Sequence, residues 1–584
     1  MPHVLDNQAF EEELQDIADD TGRPLGELRS EAKEDFNEMH GNRRQFAVRS
    51  FAWLSRYLCR RGYHPDYYHD VAELEQVRRL ATRKSVVYLV THKTYLDFFV
   101  LYDFFYRNDI APPYIFGGVN MAFAGFGSFA RRAGGIFIRR AFADDPVYKA
   151  VLRRYIQYLI GEGCSFNWAI EGTRSRTGKL VMPRLGLLKY VVDASRPLGD
   201  DAISYIPVSV SYDQIPDVID MAAQEAGAIK RPESLKWFAG YVRGLSSHFG
   251  NIYVRFGDAV ALHDTPDAPD LTASQRLLSP TIIEVEKLAF EVCYRINEVT
   301  PATETSLILM SLLCRTTATP ERIREDVAAL QNYMKQRQSS SMFTTPNLPV
   351  VNDVDAALAS LIDHGIVQQD PDADYCSIVP ERYLVALYYS NMAVHHFVIA
   401  AFAELGLLNA THDESESSDE AFQAEVLRLR DLFKFEFFFA RKEQFHEQFV
   451  DEFVFLGEPT EPFGKHDRAA AEALLRRQPL LVAFGVLSPF VNAYGVVAKC
   501  LVDTGLQAID DRNAIIANCQ AESRKAGAGY PGFASKALLT NGYLLAENRG
   551  LLDDESDVME RRQHFVEELQ FVARQLEEIR QMTA

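Results

Sequence analysis

The sequence predicts an α/β fold, a mixed sheet flanked by helices, with a helical N-terminal region and a mainly helical C-terminal region. Three observations carry this. From about residue 81 to 300, short β-branched and aromatic runs alternate with longer stretches of helical spacing, the signature of a largely parallel or mixed sheet. Outside those limits the strand-like runs fade and apolar residues recur at helical intervals. The chain is 584 residues long, 47% hydrophobic and 24% charged, an ordinary globular composition with length enough for a large core. Three domains follow: a helical region over 1–80, an α/β domain over 81–300 and a helical domain over 301–584.

Taken in order, residues 1–80 are acidic to about 40. Beyond that, Arg43, Arg44, Arg49, Arg56, Arg60 and Arg61 interleave with Phe46, Phe51, Trp53, Leu54, Tyr57 and Leu58. That mixture reads either as a solvated helix packed on the main domain or as a helix facing a membrane. The strand-like runs are "SVVYLV" (85–90), "GIFI" (135–138), "SFNWAI" (165–170), "ISYIPVSV" (203–210) and "NIYVRFG" (251–257), and "DPVYKAVLRRYIQYLIGEG" has helical spacing between two of them. After 300, "TPERIREDVAALQNYMKQR" opens with a Thr-Pro helix start, and "QSSSMFTTPNLPVVND" reads as a loop. "DVDAALASLIDHGIV" is helical, and "NATHDESESSDEAF" is acidic enough to be an exposed loop. "ERRQHFVEELQFVARQLEEIRQ" is an amphipathic C-terminal helix.

The net charge of −20 excludes a nucleic-acid-binding role, which needs an excess of Lys and Arg against phosphate. Seven scattered cysteines with no CxxC pair fit a reduced compartment, with neither a disulfide framework nor a zinc site. The acidic N-terminus has no apolar core and does not read as a signal peptide. Two stretches approach the length of a membrane span. In Ser85–Tyr106, His92, Lys93 and Asp97 would sit near the bilayer centre at a cost of several kcal/mol. In Pro479–Val502, Ser488, Pro489, Asn492 and Tyr494 suit a buried or interfacial helix better. Any membrane contact therefore rests on apolar surface or a local basic patch.

Four constellations could carry chemistry. In "THKTYLD" a strand ends at Thr91 and a helix begins near Thr94, so His92 sits at a strand-to-helix turn with Asp97 able to point back at it. A carboxylate on one imidazole nitrogen fixes the tautomer and makes the other a better base. Thr94-x-x-Asp97 is equally a capping box. In "GGIFIRRAF", Arg139 and Arg140 end a strand and face opposite ways; a guanidinium fork suits phosphate, and an ordinary ion pair suits each as well. In "AIEGTRSRTGKL", Glu171, Gly172, Thr173, Arg174, Arg176 and Lys179 form a cation-rich loop after a strand, an arrangement suited to an anion. In "YIPVSVSYDQIPD", Pro207 shapes a strand edge, and Tyr212 and Asp213 could line the same cleft.

In this order, the four constellations resemble the motifs of the glycerol-phosphate acyltransferase family: a His-x4-Asp block, a Gly-x-x-Phe-x-Arg-Arg strand, a Glu-Gly-Thr-Arg-Ser-Arg loop and a proline-bearing strand. The likeness is strong over about 85–260 and looser to about 500, and looks closest to the bacterial membrane-bound glycerol-3-phosphate enzymes and their dihydroxyacetone-phosphate relatives. Ile170 and Arg184 depart mildly from the family's usual residues. The resemblance implies a glycerol-3-phosphate 1-O-acyltransferase: His92 as general base, Asp97 orienting it, and an acyl group passed from acyl-CoA or acyl-carrier protein to the sn-1 hydroxyl. It also implies that Arg140, Arg174 and Arg176, with Arg139 and Lys179, hold the acceptor phosphate. Glu171, Gly172, Thr173 and Pro207 would shape the pocket. No metal or cofactor is expected, and no nucleic acid. A membrane lipid surface at the cytoplasmic face, approached peripherally or monotopically, is the expected partner. Dihydroxyacetone phosphate as acceptor and a non-catalytic lipid-binding scaffold are the alternatives.

Overall fold

Ser85–Val90 forms the strand β1, every residue of it buried. A run apolar on both faces is what a parallel sheet covered on both sides requires. The computed structural model describes residues 4–583 except 119–125, 140–141, 143, 229–234, 247, 263–279, 341–352, 371, 410–417, 457–467, 506–510, 526–534 and 554. The other strands of this sheet are β2 (Tyr114–Gly118), β3 (Gly135–Ile138), β4 (Phe166–Ala169), β5 (Ile203–Tyr212) and β6 (Ile252–Phe256). Their order is β3-β2-β4-β1-β5-β6. The first five are mutually parallel and only β6 runs against its neighbour.

Helices α1 (Gln8–Thr21), α2 (Leu25–Met39), α3 (Gln45–Gly62) and α4 (Val71–Ala81) precede β1. Four more connect successive strands: α5 (Asp97–Arg107), α6 (Phe126–Ala133), α7 (Pro146–Gly161) and α8 (Leu185–Ser195). Then α9 (Val218–Glu225) and α10 (Leu235–Gly244) lie between β5 and β6, and α11 (Pro280–Val299) follows β6. The step from β1 to β2 goes back across β4, whereas β3 to β4 and β4 to β5 go forward. With right-handed crossovers, α5 therefore covers one face of the sheet and α7 and α8 the other. Helix starts follow their caps: Asp145 accepts from Tyr148 N at 2.9 Å just before Pro146, and Asp70 accepts from Ala72 N and Glu73 N.

The chain divides into two compact units. One holds Met1–Arg174, Pro183–Tyr212 and Pro232–Thr300; the other holds Ser175–Met182, Asp213–Arg231 and Pro301–Ala584. The N-terminal helices thus share a unit with the sheet. Arg153 of α7 reaches Glu13 of α1 at 2.7 Å, and Phe51 of α3 stacks on Phe99 of α5 at 5.5 Å. Thr300, at the end of α11, donates to Ser209 of β5 at 2.8 Å.

The second unit is mainly helical, built around the helix Ala483–Asp503, which packs against Lys536–Asn548 and Val558–Thr583. It also carries a small antiparallel sheet of β7 (Thr317–Ala318), β8 (Val367–Gln369) and β9 (Cys376–Ile378), in the order β7-β9-β8. Strands of two or three residues leave no period-2 pattern, and the sequence does not announce them. Most of the loop expected over 338–353 lies outside the described residues, as do 410–417 of the acidic loop; the end of that loop is instead the start of the helix Ser418–Leu432. Among the described residues one helix, Ala483–Asp503, is long and apolar enough to cross a membrane, and it is mostly buried within the protein.

Candidate active site

Because β1, β3, β4 and β5 run parallel, the residues that follow them gather along one edge of the sheet, the carboxyl edge where open α/β sheets bind ligands. His92 follows β1, Arg139 follows β3, Glu171 follows β4, and Tyr212 ends β5. That topology brings motifs some 120 residues apart in sequence to one place.

The turn between β1 and α5 is held from several directions. Thr91 N donates to Val208 O at 3.1 Å, and the Thr91 hydroxyl bonds both the carbonyl and the amide of Val210. The backbone amide of His92 donates to Glu171 Oε2 at 2.6 Å, and Glu171 is fully buried. Its carboxylate thus fixes the main chain beneath the imidazole. The helix starts at Asp97, three residues later than the sequence suggests, because the intervening turn is built on the Asp97 side chain. Asp97 Oδ2 accepts from Lys93 N at 2.6 Å and Thr94 N at 3.1 Å, and lies 2.8 Å from His92 Nδ1. Asp97 thus serves both the turn and the imidazole, but the expected capping box does not form: the helix cap is Leu96, without a side-chain bond, and Thr94 lies ahead of it.

The second oxygen of Asp97 is also engaged: the Tyr212 hydroxyl donates to Oδ1 at 2.6 Å. Burial, and then the charge of Asp97 beside it, push the Tyr212 phenol well above its ordinary range, so it remains a donor. With Asp97 at the first turn of α5, the helix dipole favours its negative charge. Asp97 is 1% exposed and the His92 side chain 15%. A buried carboxylate accepting from Nδ1–H leaves Nε2 as the nitrogen that can take a proton.

Around this centre Gly172 occupies a left-handed turn at φ 65°, where a Cβ would approach Arg184 Cγ to 2.7 Å. Thr173 is exposed. Arg174, 7% exposed, lies 3.7 Å over the ring of Tyr95 and donates to its hydroxyl at 2.8 Å. Tyr95 packs edge-on to Trp237 of α10 at 4.5 Å, and the Tyr241 and Thr94 hydroxyls are 3.0 Å apart. Pro207 pairs with Leu89 in the middle of β5, and its carbonyl accepts from Gly257 N at 2.9 Å. It shapes the strand without reaching the carboxyl edge itself.

The remaining cations are placed differently. Arg139 reaches Asp35 at 2.8 Å, Asp145 at 3.2 Å and Glu38, and it sits over the Tyr148 ring. Glu31, Asp35 and Asp145 also bring carboxylate oxygens within 4.8 Å of one another, with the Arg139 guanidinium as the cation among them. Burial pushes Asp35 up to about 6 against the pull of Arg139. Arg140 lies outside the described residues. Arg176, Thr177 and Lys179 belong to the second unit. There Arg176, Glu225, Tyr388 and Ser535 line a small cavity. Lys179, 4% exposed, meets the wholly buried Glu436 at 2.8 Å. Gly178 beside it, at φ 87°, is close enough to Tyr388 that a Cβ would fall 1.8 Å from the Tyr388 carbonyl oxygen.

Sequence reasoning gave Tyr212 only a general place in the cleft and missed Tyr95, Trp237 and Tyr241. The aromatic i, i+4 pair in "LKWFAGYVRG" is the signal that could have flagged α10.

Residues 70–211 match the family model described as Acyltransferase, and residues 221–555 match that described as Glycerol-3-phosphate acyltransferase C-terminal region. Proteins carried as the candidate acyltransferase plsB1 in Mycobacterium tuberculosis (strain ATCC 25618 / H37Rv) and Mycobacterium bovis (strain ATCC BAA-935 / AF2122/97) are 31% identical over 600 residues, covering 99% of this chain and 93% of theirs. The chain belongs to the glycerol-3-phosphate acyltransferase family. Among solved structures, the 1-acyl-sn-glycerophosphate acyltransferase PlsC of Thermotoga maritima is 15% identical with a TM-score of 0.25, over 46% of this chain and 80% of that one. Within the glycerol-3-phosphate acyltransferase family frame, the His92 turn and the loop through Arg174 fall inside the Acyltransferase match, and α10 falls inside the C-terminal-region match.

Proposed function

We propose that this acyltransferase moves a fatty acyl group from acyl-CoA or acyl-carrier protein to the sn-1 hydroxyl of glycerol-3-phosphate. The observation that carries this reading is the buried Tyr212–Asp97–His92 relay at the carboxyl edge of the sheet. His92 Nε2 takes the hydroxyl proton as the acceptor oxygen attacks the thioester carbonyl carbon. The tetrahedral intermediate collapses with loss of the C–S bond, and the departing thiolate receives that proton from the imidazolium. The products are 1-acyl-glycerol-3-phosphate and the free thiol. Glu171 holds the His92 backbone and has no proton to transfer in this scheme.

Arg174, beside the His92 turn through Tyr95, is our first choice for the acceptor phosphate, with Arg140 assisting. Arg139 and Lys179 are committed to carboxylates, and we assign them no share of the phosphate. The product partitions into lipid, and we take the cytoplasmic face of a membrane as the working site.

The test is acyl transfer from palmitoyl-CoA to glycerol-3-phosphate and to dihydroxyacetone phosphate in parallel, with His92→Ala beside the parent. Loss of about 10²–10⁴ in rate is expected for the variant. Full activity of His92→Ala would overturn the general-base assignment. Preference for dihydroxyacetone phosphate would overturn the acceptor, and thiol release without acyl transfer would make the chain a thioesterase.

A further inference from the structure

The exposed face of α3 carries three large aromatic side chains: Phe46 at 82%, Trp53 at 68% and Tyr57 at 44% exposure. At about 100° per residue all three fall within roughly 40° around the helix axis, and Arg49, Arg56, Arg60 and Arg61 flank them within an arc of roughly 140°. Ala47, Val48, Phe51, Ala52, Leu58 and Cys59 occupy the opposite, buried face. Trp53 and Tyr57 stack at 5.8 Å, and Arg61 donates to the Tyr57 hydroxyl at 3.1 Å. The helix contains no acidic residue, in a chain of net charge −20. The neighbouring Asp66 is taken up by Arg107 at 2.9 Å.

We propose that this aromatic and arginine face of α3 is the surface by which the protein lies on an anionic lipid bilayer. Amphipathic aromatic rings suit the headgroup boundary, and arginines flanking them match an anionic leaflet. The orientation follows from α5. Phe51 meets Phe99 near the start of that helix, and Arg56 meets Asp103 further along at 3.1 Å, so the two helices run in parallel. The Phe46 end of α3 therefore projects past the start of α5, on the side of His92. Docking by this face brings the candidate active site to the bilayer surface without a spanning helix. The inference deepens the membrane part of the proposed function, and its test does not use catalysis.

The experiment is flotation of the full chain with vesicles of phosphatidylcholine containing phosphatidylglycerol, and with phosphatidylcholine alone. Parent and His92→Ala are expected to float equally with the anionic vesicles and poorly with the neutral ones. Arg49→Glu with Arg60→Glu, and separately Phe46→Ser with Trp53→Ser, are expected to lose binding, by about fivefold for each arginine removed. Circular dichroism checks that the variants are folded. Parent-like flotation of both double variants, or no flotation of the parent, overturns the proposal. So does a change confined to oligomeric state, which would make the face a contact between copies of the chain. If His92→Ala floats normally but transfers no acyl group, docking and catalysis stand as separate properties.

Discussion

Replacing Tyr212 by Phe removes one oxygen atom from the interior. The ring stays against Tyr63, 5.5 Å away, and the volume hardly changes, so the fold is expected to survive. What is lost is a donor 2.6 Å from Asp97 Oδ1, in a site where Asp97 is 1% exposed and water cannot take its place. Hydrogen bonds to charged groups are worth about 1.5–3 kcal/mol, and leaving one side of a buried carboxylate unmet has a similar cost. If that energy steadies the imidazole in the transition state, kcat falls by about 10- to 150-fold. Acceptor and donor KM should stay within about twofold, since Tyr212 touches neither substrate in the proposed scheme. The assay is steady-state acyl transfer from palmitoyl-CoA, with thermal unfolding as the control. An unchanged kcat in a folded variant would refute the relay. A rise in KM alone would move Tyr212 to substrate binding.

Four further outcomes are expected. Arg174→Ala raises the KM for glycerol-3-phosphate by about tenfold or more, as for loss of a charge-assisted contact, with the acyl-donor KM little changed; equal effects on both would remove its phosphate role. Lys179→Met leaves Glu436 buried without its cation and lowers the unfolding free energy in urea by about 3–5 kcal/mol; an unchanged midpoint would contradict the pairing. Gly172→Ala places a Cβ in a left-handed turn at φ 65°, at a cost of about 1–2 kcal/mol before any contact with Arg184; it should slow turnover by displacing Glu171, and parent-like kinetics would show that turn to be tolerant. Burial pushes Glu404 up to about 8. A carboxyl raised in the folded state contributes most below its unfolded value near 4.5, and stability is lost as pH rises toward about 8. Glu404→Gln should flatten that decline in a series of melting temperatures, and an equally steep decline in the variant would assign it to other groups.

The sheet was legible wherever a strand was buried on both faces, as in "SVVYLV" and "ISYIPVSV", because such a run has few other readings. β2 was not, since only "YIF" precedes two glycines, and its place between β3 and β4 is a matter of pairing. His92 and Asp97 could be paired from spacing because only four residues of chain separate them. Tyr212 could not be joined to Asp97 in that way. The two are 115 residues apart, and only the parallel pairing of β1 with β5 brings them together. The cation-rich loop misled for the same reason: its Lys179 looks available for an anion until Glu436, 257 residues away, is seen beside it.

That long-range pairing bears on the order in which the chain can be finished. Ser175–Met182 is threaded into the second unit while the residues on both sides of it belong to the first. Besides Glu436, its partners include Asn391, which donates to Thr177 O, and the backbone of Tyr388. At about 5–20 residues per second, the ribosome needs roughly 13–50 s to travel from Lys179 to Glu436. During that interval the segment immediately after Arg174 has no native place to settle. Synthesis of the sheet unit alone, ending near Thr300, would leave Lys179 and Gly178 permanently without their settings. The sheet unit is therefore not a portable cassette: Ser175–Met182, which interrupts it in sequence, finds its partners in the far half of the chain.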